Sequence, residues 1–297
     1  MWEFVNFYFL PGVVLGCIYA LGALGISLTF GILRFANFAH GEIMMLGAYF
    51  TLSLTALTGL PPLAAALPAM ALTVAVTLAL DRAAFRPFRG APAIISVIAS
   101  FGLMLMIRSA VQFFWGVQPR PLLRGIQRPE SFLDGAILLP PKHIVIIGSA
   151  LVLMVLVHLL LSRTRIGKAM RAVSDSPGLA RLTGIDVEAV IRATWAVAAV
   201  TAVAAGVLLA LDTHVESMMG FKMLLPMFAA AILGGIGRPF GAVAGGLVIG
   251  IAEEVSSFPF GGTEALLNPA YKSGIAFAIM VAMLIWRPSG LFKGRVF

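Results

Sequence analysis

Nine long apolar runs, separated by short polar segments, set the frame of this chain. They cover Phe7–Leu33, Gly41–Leu57, Leu63–Leu80, Ala93–Trp115, His143–Leu161, Ala193–Leu211, Met223–Gly235, Gly241–Ser257 and Ser273–Trp286. A helix needs roughly 20 apolar residues to cross a hydrocarbon core. Runs of this length therefore predict an all-α, polytopic transmembrane bundle of about eight to ten spans. Several runs fall short of that length. Met223–Gly235 above all predicts a helix that is tilted, broken or packed among its neighbours.

The largest polar island is Ser162–Arg192. It carries Arg163, Arg165, Lys168, Arg171, Arg181 and Arg192 against Asp175, Asp186 and Glu188. Basic loops between spans stay in the cytoplasm. With this loop inside and nine spans, the loop with Arg82, Arg86 and Arg89 is inside as well, as are Arg34, Arg238 and the tail with Arg287, Lys293 and Arg295. The inner side then holds fourteen of the 21 Lys and Arg residues. The outer side holds Arg120, Arg124, Arg128, Lys142, Lys222 and Lys272. The bias predicts an outside N-terminus and an inside C-terminus. Arg108 falls within a span, where the pattern suggests a structural arginine snorkelling outward.

Within the island, Ser176 suits a helix N-cap, Pro177 a first helical turn, and Thr183-Gly184 a helix end. Leu179 and Leu182 share one face of that short helix. A further helix can start at Asp186. A partly apolar helix on the cytoplasmic side either rests on headgroups or is covered by a partner.

Composition agrees with the pattern. The chain is 60% hydrophobic and 11% charged, with mean hydropathy +1.00, whereas soluble domains average about 25% charged. Its net charge of +8 would suggest nucleic acid in a soluble chain, but here the bases flank spans. Cys17 is the single cysteine, so no internal disulfide or cysteine metal cluster is expected. Glu3, with no base before the first run, does not read as a cleavable signal. The loop 116–142 is the longest outer, periplasmic segment. Pro119, Pro121, Pro129, Pro140 and Pro141 argue against a helix there. The pairs Gly12/Gly16, Gly241/Gly245 and Gly246/Gly250 have the spacing that lets helices approach closely. One membrane domain, 1–297, is expected.

No Walker A pattern occurs; the stretch Gly234–Arg238 lacks its Lys-Ser/Thr end. The chain is therefore not expected to hydrolyse ATP itself. His40, His143, His158 and His214 lack metal-ligand spacing, so no metal is expected. The densest polar cluster beside apolar runs is Arg34–Glu42, RFANFAHGE. Ionisable groups at membrane depth are costly and often functional, and broken helices can line a substrate path. An ordinary turn capped by Asn37 explains the same residues. A second cluster, Asp212–Met227, sets Asp212, His214, Glu216 and Lys222 beside Met218, Met219, Phe221, Met223 and Met227. With Met44, Met45 and Phe228, these methionines and aromatics could form an adaptable apolar path. An outer turn between packed helices is the alternative. Glu253 and Glu254 suggest pairing or an interface.

Several phrases together resemble one family. They are Gly12–Ala23, Gly31–Gly47 (GILRFANFAHGEIMMLG), Arg82–Pro87 (RAAFRP), Gly167–Ile185 (GKAMRAVSDSPGLARLTGI), Phe228–Gly237 (FAAAILGGIG), Gly241–Glu253 (GAVAGGLVIGIAE) and Arg287–Leu291 (RPSGL). Over nearly its whole length the chain is similar to the H-type membrane permeases of ABC importers for branched-chain amino acids. The resemblance implies a type II-like permease built on two inverted halves, with the loops after Leu33 and Leu211 as counterparts. It implies a bacterial inner-membrane location and three kinds of partner: a second homologous permease, two cytoplasmic ATPase subunits and a periplasmic substrate-binding protein. ATP would be used by the partners, and no cofactor by this chain. Segment 162–192 would couple to an ATPase through Gly167, Arg171, Asp175, Leu179, Ala180, Leu182 and Gly184. The substrate path would involve Asn37, His40, Gly41, Glu42, Met45, Met218, Gly220, Phe221 and Phe228. The chain departs from many relatives in having Pro226 where they have Lys, and Ser217 where they have Pro. That leaves urea, a short amide or another small metabolite as alternative cargo. An intramembrane enzyme using His40 and Glu42 lacks any second catalytic cluster. A stand-alone carrier would work without ATPase partners.

Overall fold

The computed structural model describes residues 2–123, 129–132, 137–259, 271–292 and 294. Each of the nine apolar runs becomes one helix: α1 Leu10–Leu33, α2 His40–Thr58, α3 Pro62–Leu80, α4 Ala93–Trp115, α5 Pro141–Arg163, α8 Val187–Asp212, α9 Met219–Gly234, α10 Pro239–Val255 and α11 Lys272–Trp286. Two short helices lie in the basic island: α6 Arg165–Asp175 and α7 Pro177–Leu182. Helical turns from Trp2 lead directly into α1. Among the described residues, five segments are long and apolar enough to cross a bilayer unaided: Trp2–Leu33, Pro62–Phe88, Ala93–Trp115, Pro141–Arg163 and Val187–Asp212. The rest are shorter or carry charge. α9 has 16 residues and α11 has 15, about 24 and 22 Å at 1.5 Å per residue.

The sequence-predicted helix starts shift where caps set them. α8 begins six residues before its apolar run, at Val187, because the Asp186 side chain accepts a hydrogen bond from Ala189 N–H at 3.1 Å. Pro140 and Pro141 start α5, where the missing N–H costs nothing. The outer loop holds the short antiparallel pair Glu130–Phe132 (β1) and Ile137–Leu139 (β2). Arg120 pairs with Val215 through two backbone hydrogen bonds of 2.9 Å. Arg124, Arg128, Lys293 and Arg295 lie outside the described residues.

The helices divide into two halves related by inversion, α1–α4 and α8–α11, joined by α5–α7. The relation is visible in backbone hydrogen bonds at a constant separation of 179 residues. Arg34 N–H closes α1 on Phe30 O, and Thr213 N–H closes α8 on Leu209 O, both at 2.9 Å. His40 N–H bonds Asn37 O at 3.4 Å, as Met219 N–H bonds Glu216 O at 3.2 Å. Ile43 N–H bonds Ala39 O at 3.0 Å, as Lys222 N–H bonds Met218 O at 3.1 Å. The two breaks between helices therefore fold alike with almost no shared side chains. In each half the first helix is the core: α1 and α8 bury 83% of their most apolar window, against 28–33% for α3, α4 and α5.

The glycine spacings mark real approaches. α10 lies along α1, and a methyl group on Gly250 would stand 2.2 Å from Gly16 N. Tyr19 hydroxyl donates to Glu253 at 2.7 Å in the same buried seam, while Glu254 takes Lys272 at 2.7 Å. Basic segments gather at one end of the bundle. There Arg34 donates to Ser174 O, Ser174 donates to Gly31 O, and Arg89 joins Asp81 to Glu188. Asp212 meets Lys142 (3.0 Å) and His143 (3.3 Å) at the opposite end. This is the separation that the charge count predicts.

Candidate functional site

The first break explains itself from its residues. Arg34 ends α1 in a left-handed conformation, φ 60°, a turn that directs the chain back into the bundle. Residues 34–39 then climb without helical bonds, and α2 starts at His40, level with Gly25 of α1. That point lies about 12 Å above the end of α1. Non-helical backbone at this depth needs partners from protein. Ser100 hydroxyl accepts from Phe38 N–H at 3.1 Å, and Asn37 side-chain oxygen accepts from Ala39 N–H at 3.1 Å. His40 is fully buried, its ring packed beside Gly25 of α1.

The two breaks meet at Gly41 and Gly220. A methyl group on Gly220 would stand 2.2 Å from Gly41 O, and one on Gly41 2.3 Å from Gly220 O. The equivalent glycines of the two halves are thus in mutual backbone contact. Neither position admits a side chain.

Beside this crossing lies a charged pair that sequence reasoning did not assemble. Glu42, in the first turn of α2, is buried with 1% of its side chain exposed. Arg108 of α4 donates to Glu42 Oε1 through Nε at 3.0 Å and through a terminal NH2 group. Its guanidinium carbon stands 4.8 Å from the centre of the Phe221 ring. Arg108 lies about 22 Å along α4 from Ala93, well inside the bundle. The snorkelling arginine is thus corrected: its head points inward because a buried carboxylate lies within reach and the outer interface is farther away. The lone cation in an apolar run was the available signal; its partner, 66 residues away, was not.

The other sequence-predicted path residues separate into two groups. Asn37, His40, Gly41, Glu42, Met45 and Gly220 are buried within this chain, as are Met44, Met219 and Met227. The expected methionine-lined path is corrected accordingly. Met44 packs on Gly206 of α8, Met227 packs on Gly22, and Met45 is fully buried, so these methionines are core. Met218, Phe221 and Phe228 do reach the surface, Phe221 with 47% exposure and Phe228 half-buried. Phe228 and Phe101 each lie 5.5 Å from Phe38, giving an aromatic strip between α4 and α9. Pro226 is buried inside α9, and Ser217 hydroxyl takes a 3.3 Å hydrogen bond from Gln112. Among the described residues, no three His, Cys, Asp or Glu side chains stand close enough to hold a metal.

At the basic end, Thr164 caps α6 by accepting from Gly167 N–H at 3.1 Å. Gly167 is wedged against the Leu160 and Leu161 carbonyls, where a methyl group would come within 2.4 Å of both oxygens. Met170 and Val173 are buried, whereas Arg171 and Asp175 face outward. Ser176 caps α7, and Ile185 N–H returns to Ala180 O at 3.0 Å past Gly184, φ 84°. Ala180 is buried, whereas Leu179 and Leu182 are 66% and 85% exposed. Arg89 braces this end between Asp81 and Glu188. Burial works against its charge, but hydrogen bonds to both carboxylates hold its pKa above the usual value.

Inverted halves, broken helices meeting in the interior and a capped helix with bare leucines at one end define a polytopic membrane permease. Residues 8–284 match the family described as branched-chain amino acid transport system / permease component. The chain is 33% identical over 295 residues to the high-affinity branched-chain amino acid transport system permease protein LivH of Escherichia coli K12, covering 94% of this chain and 92% of that protein. It is 32% identical over 293 residues to BraD of Pseudomonas aeruginosa, a protein of the same description, covering 94% and 93%. In fold it is similar to a chain of PsaBC from Streptococcus pneumoniae, with TM-score 0.53 and 13% identity over 97% of this chain and 95% of that one. The chain belongs to the branched-chain amino acid permease family and has the fold of ABC transporter permeases. It is a multi-pass inner-membrane protein, and its homologues are transport permeases.

Proposed function

We propose that the chain is the permease subunit through which an ATP-driven importer moves leucine, isoleucine or valine across the inner membrane. The observation that carries this reading is the family match over residues 8–284. The chain then works as one of two homologous permeases, with two ATPase subunits below and a substrate-binding protein outside. It uses no cofactor and makes or breaks no bond in its cargo. The aromatic strip of Phe38, Phe101 and Phe228, with Phe221 and Met218 on the same helix surface region, faces the path, and the second permease forms the other wall. Apolar rings at the surface suit an aliphatic side chain passing without tight binding. Asn37, His40, Gly41, Glu42, Met45 and Gly220 act behind that wall, setting its shape. Leu179 and Leu182 enter the ATPase groove, while Ala180, Gly167 and Gly184 set the docking helix's pose and Arg171 and Asp175 flank it.

Reconstituted vesicles containing the whole importer and its binding protein test this reading. They are expected to accumulate labelled leucine only when ATP is supplied. Accumulation of urea or a short amide with no leucine would replace the substrate and leave the importer assignment standing. Leucine uptake by this chain alone, driven by an ion gradient, would replace the importer assignment with a carrier.

A further inference from the structure

We propose that Arg108 is a specificity determinant that reads the carboxylate of the passing amino acid. The inference rests on the amino-acid reading above. A guanidinium has five N–H donors in a planar fork suited to a carboxylate. Glu42 engages this fork from one side only. Nε and one terminal NH2 group both donate to a single oxygen, Oε1, while Oε2 has no hydrogen-bond partner among the described residues. Arginine–carboxylate pairs are frequently bidentate, with two parallel bonds to both oxygens, and this pair is not. Here Nη1 has no hydrogen bond among the described residues, and its donors remain for another acceptor.

Position adds to this. Glu42 is sealed inside the chain, but the Arg108 side chain keeps 14% of its surface open. Phe221, half-exposed, lies against the guanidinium on α9, the helix that also carries Phe228 of the aromatic strip. A carboxylate at Arg108 would therefore leave an aliphatic side chain against aromatic rings. Glu42 orients the arginine and offsets its charge, so the contact with a substrate anion stays weak enough to release it. Arginine at this depth is costly, and such residues are often functional. Urea offers no carboxylate for such a fork.

The test separates recognition from support of the fold. Arg108→Gln leaves Glu42 as an unpaired buried carboxylate, so both readings expect damage. The E42Q/R108Q double variant removes both charges and separates them. The complete importer, in vesicles with its binding protein, would be assayed for thermal melting and for ATP-driven leucine uptake. We expect the double variant to assemble and melt near the unaltered complex while uptake stays lower by at least about tenfold. Recovery of uptake to within about twofold would assign the pair to structure alone and overturn the proposal. Arg108→Lys keeps the charge but loses the fork, and serves if the double variant does not assemble. Reduced uptake in an assembled R108K complex supports the proposal, and undiminished uptake overturns it. If the unaltered complex takes up urea and no leucine, the substrate reading fails and the inference falls with it. Normal uptake by the unaltered complex together with full recovery in the double variant defeats the inference alone.

Discussion

Gly220→Leu is expected to yield a chain that reaches the membrane and fails to pack. The new side chain would start 2.2 Å from the Gly41 carbonyl oxygen and 2.6 Å from its carbon. Both atoms are backbone, so no rotamer change relieves the clash. The first turns of α2 and α9 must separate, and Glu42, one residue from Gly41, moves with them. Overpacking a core usually costs about 1–3 kcal/mol. A backbone-to-backbone contact has less room to adjust, so the cost here should exceed about 3 kcal/mol. Gly41→Leu should match it because the contact is reciprocal. Gly148 on α5 supplies the control. Nothing lies within 4 Å of a methyl group there, and Gly148→Ala should be neutral or slightly stabilising. Size-exclusion profiles and melting of the detergent-solubilised chain decide the matter. A monodisperse Gly220→Leu chain with unchanged melting would show that the crossing is looser than the structure places it.

The same crossing marks how far the sequence could be read. Helix positions were legible because each apolar run has two polar ends, and Asp186 and Ser176 announce particular helix starts; Pro141, read as a loop residue, in fact opens α5. The short helix α7 was legible for the same reason: Ser176, Pro177 and Gly184 are local signals. The repeat was nearly invisible. His40 and Met219, or Asn37 and Glu216, share no chemistry, yet they make equivalent backbone bonds. Such bonds constrain conformation and leave side chains free to differ. Burial was misread where the same residue type serves both surface and core: Met45 and Met218 look alike in sequence, yet one is fully buried and the other faces outward. Arg108 needed the fold itself, because only the pairing of α2 with α4 brings it to Glu42.

Leu179→Glu together with Leu182→Glu is expected to separate the permease from its ATPase while leaving the permease intact. The helix that carries them is six residues long, fixed by the Ser176 cap and the Gly184 turn. Its inward contact is Ala180; the two leucines contribute almost nothing to the chain's own core. Charges at these positions stay solvated in the isolated chain, so its melting should not change. In a docked complex each leucine would bury an apolar side chain worth about 1.5–3 kcal/mol. A glutamate loses that contribution and adds the cost of removing a charge from water, several kcal/mol in total for the pair. Even 4 kcal/mol, an order-of-magnitude figure, lowers affinity about a thousandfold. The double variant should therefore purify without the ATPase subunits, and vesicles made from it should show no ATP-driven uptake. Ala180→Glu should do the reverse and damage the permease itself, because that side chain faces inward. A double-glutamate variant that copurifies with the ATPase and transports at the normal rate would mean that this helix rests on headgroups, with coupling carried elsewhere.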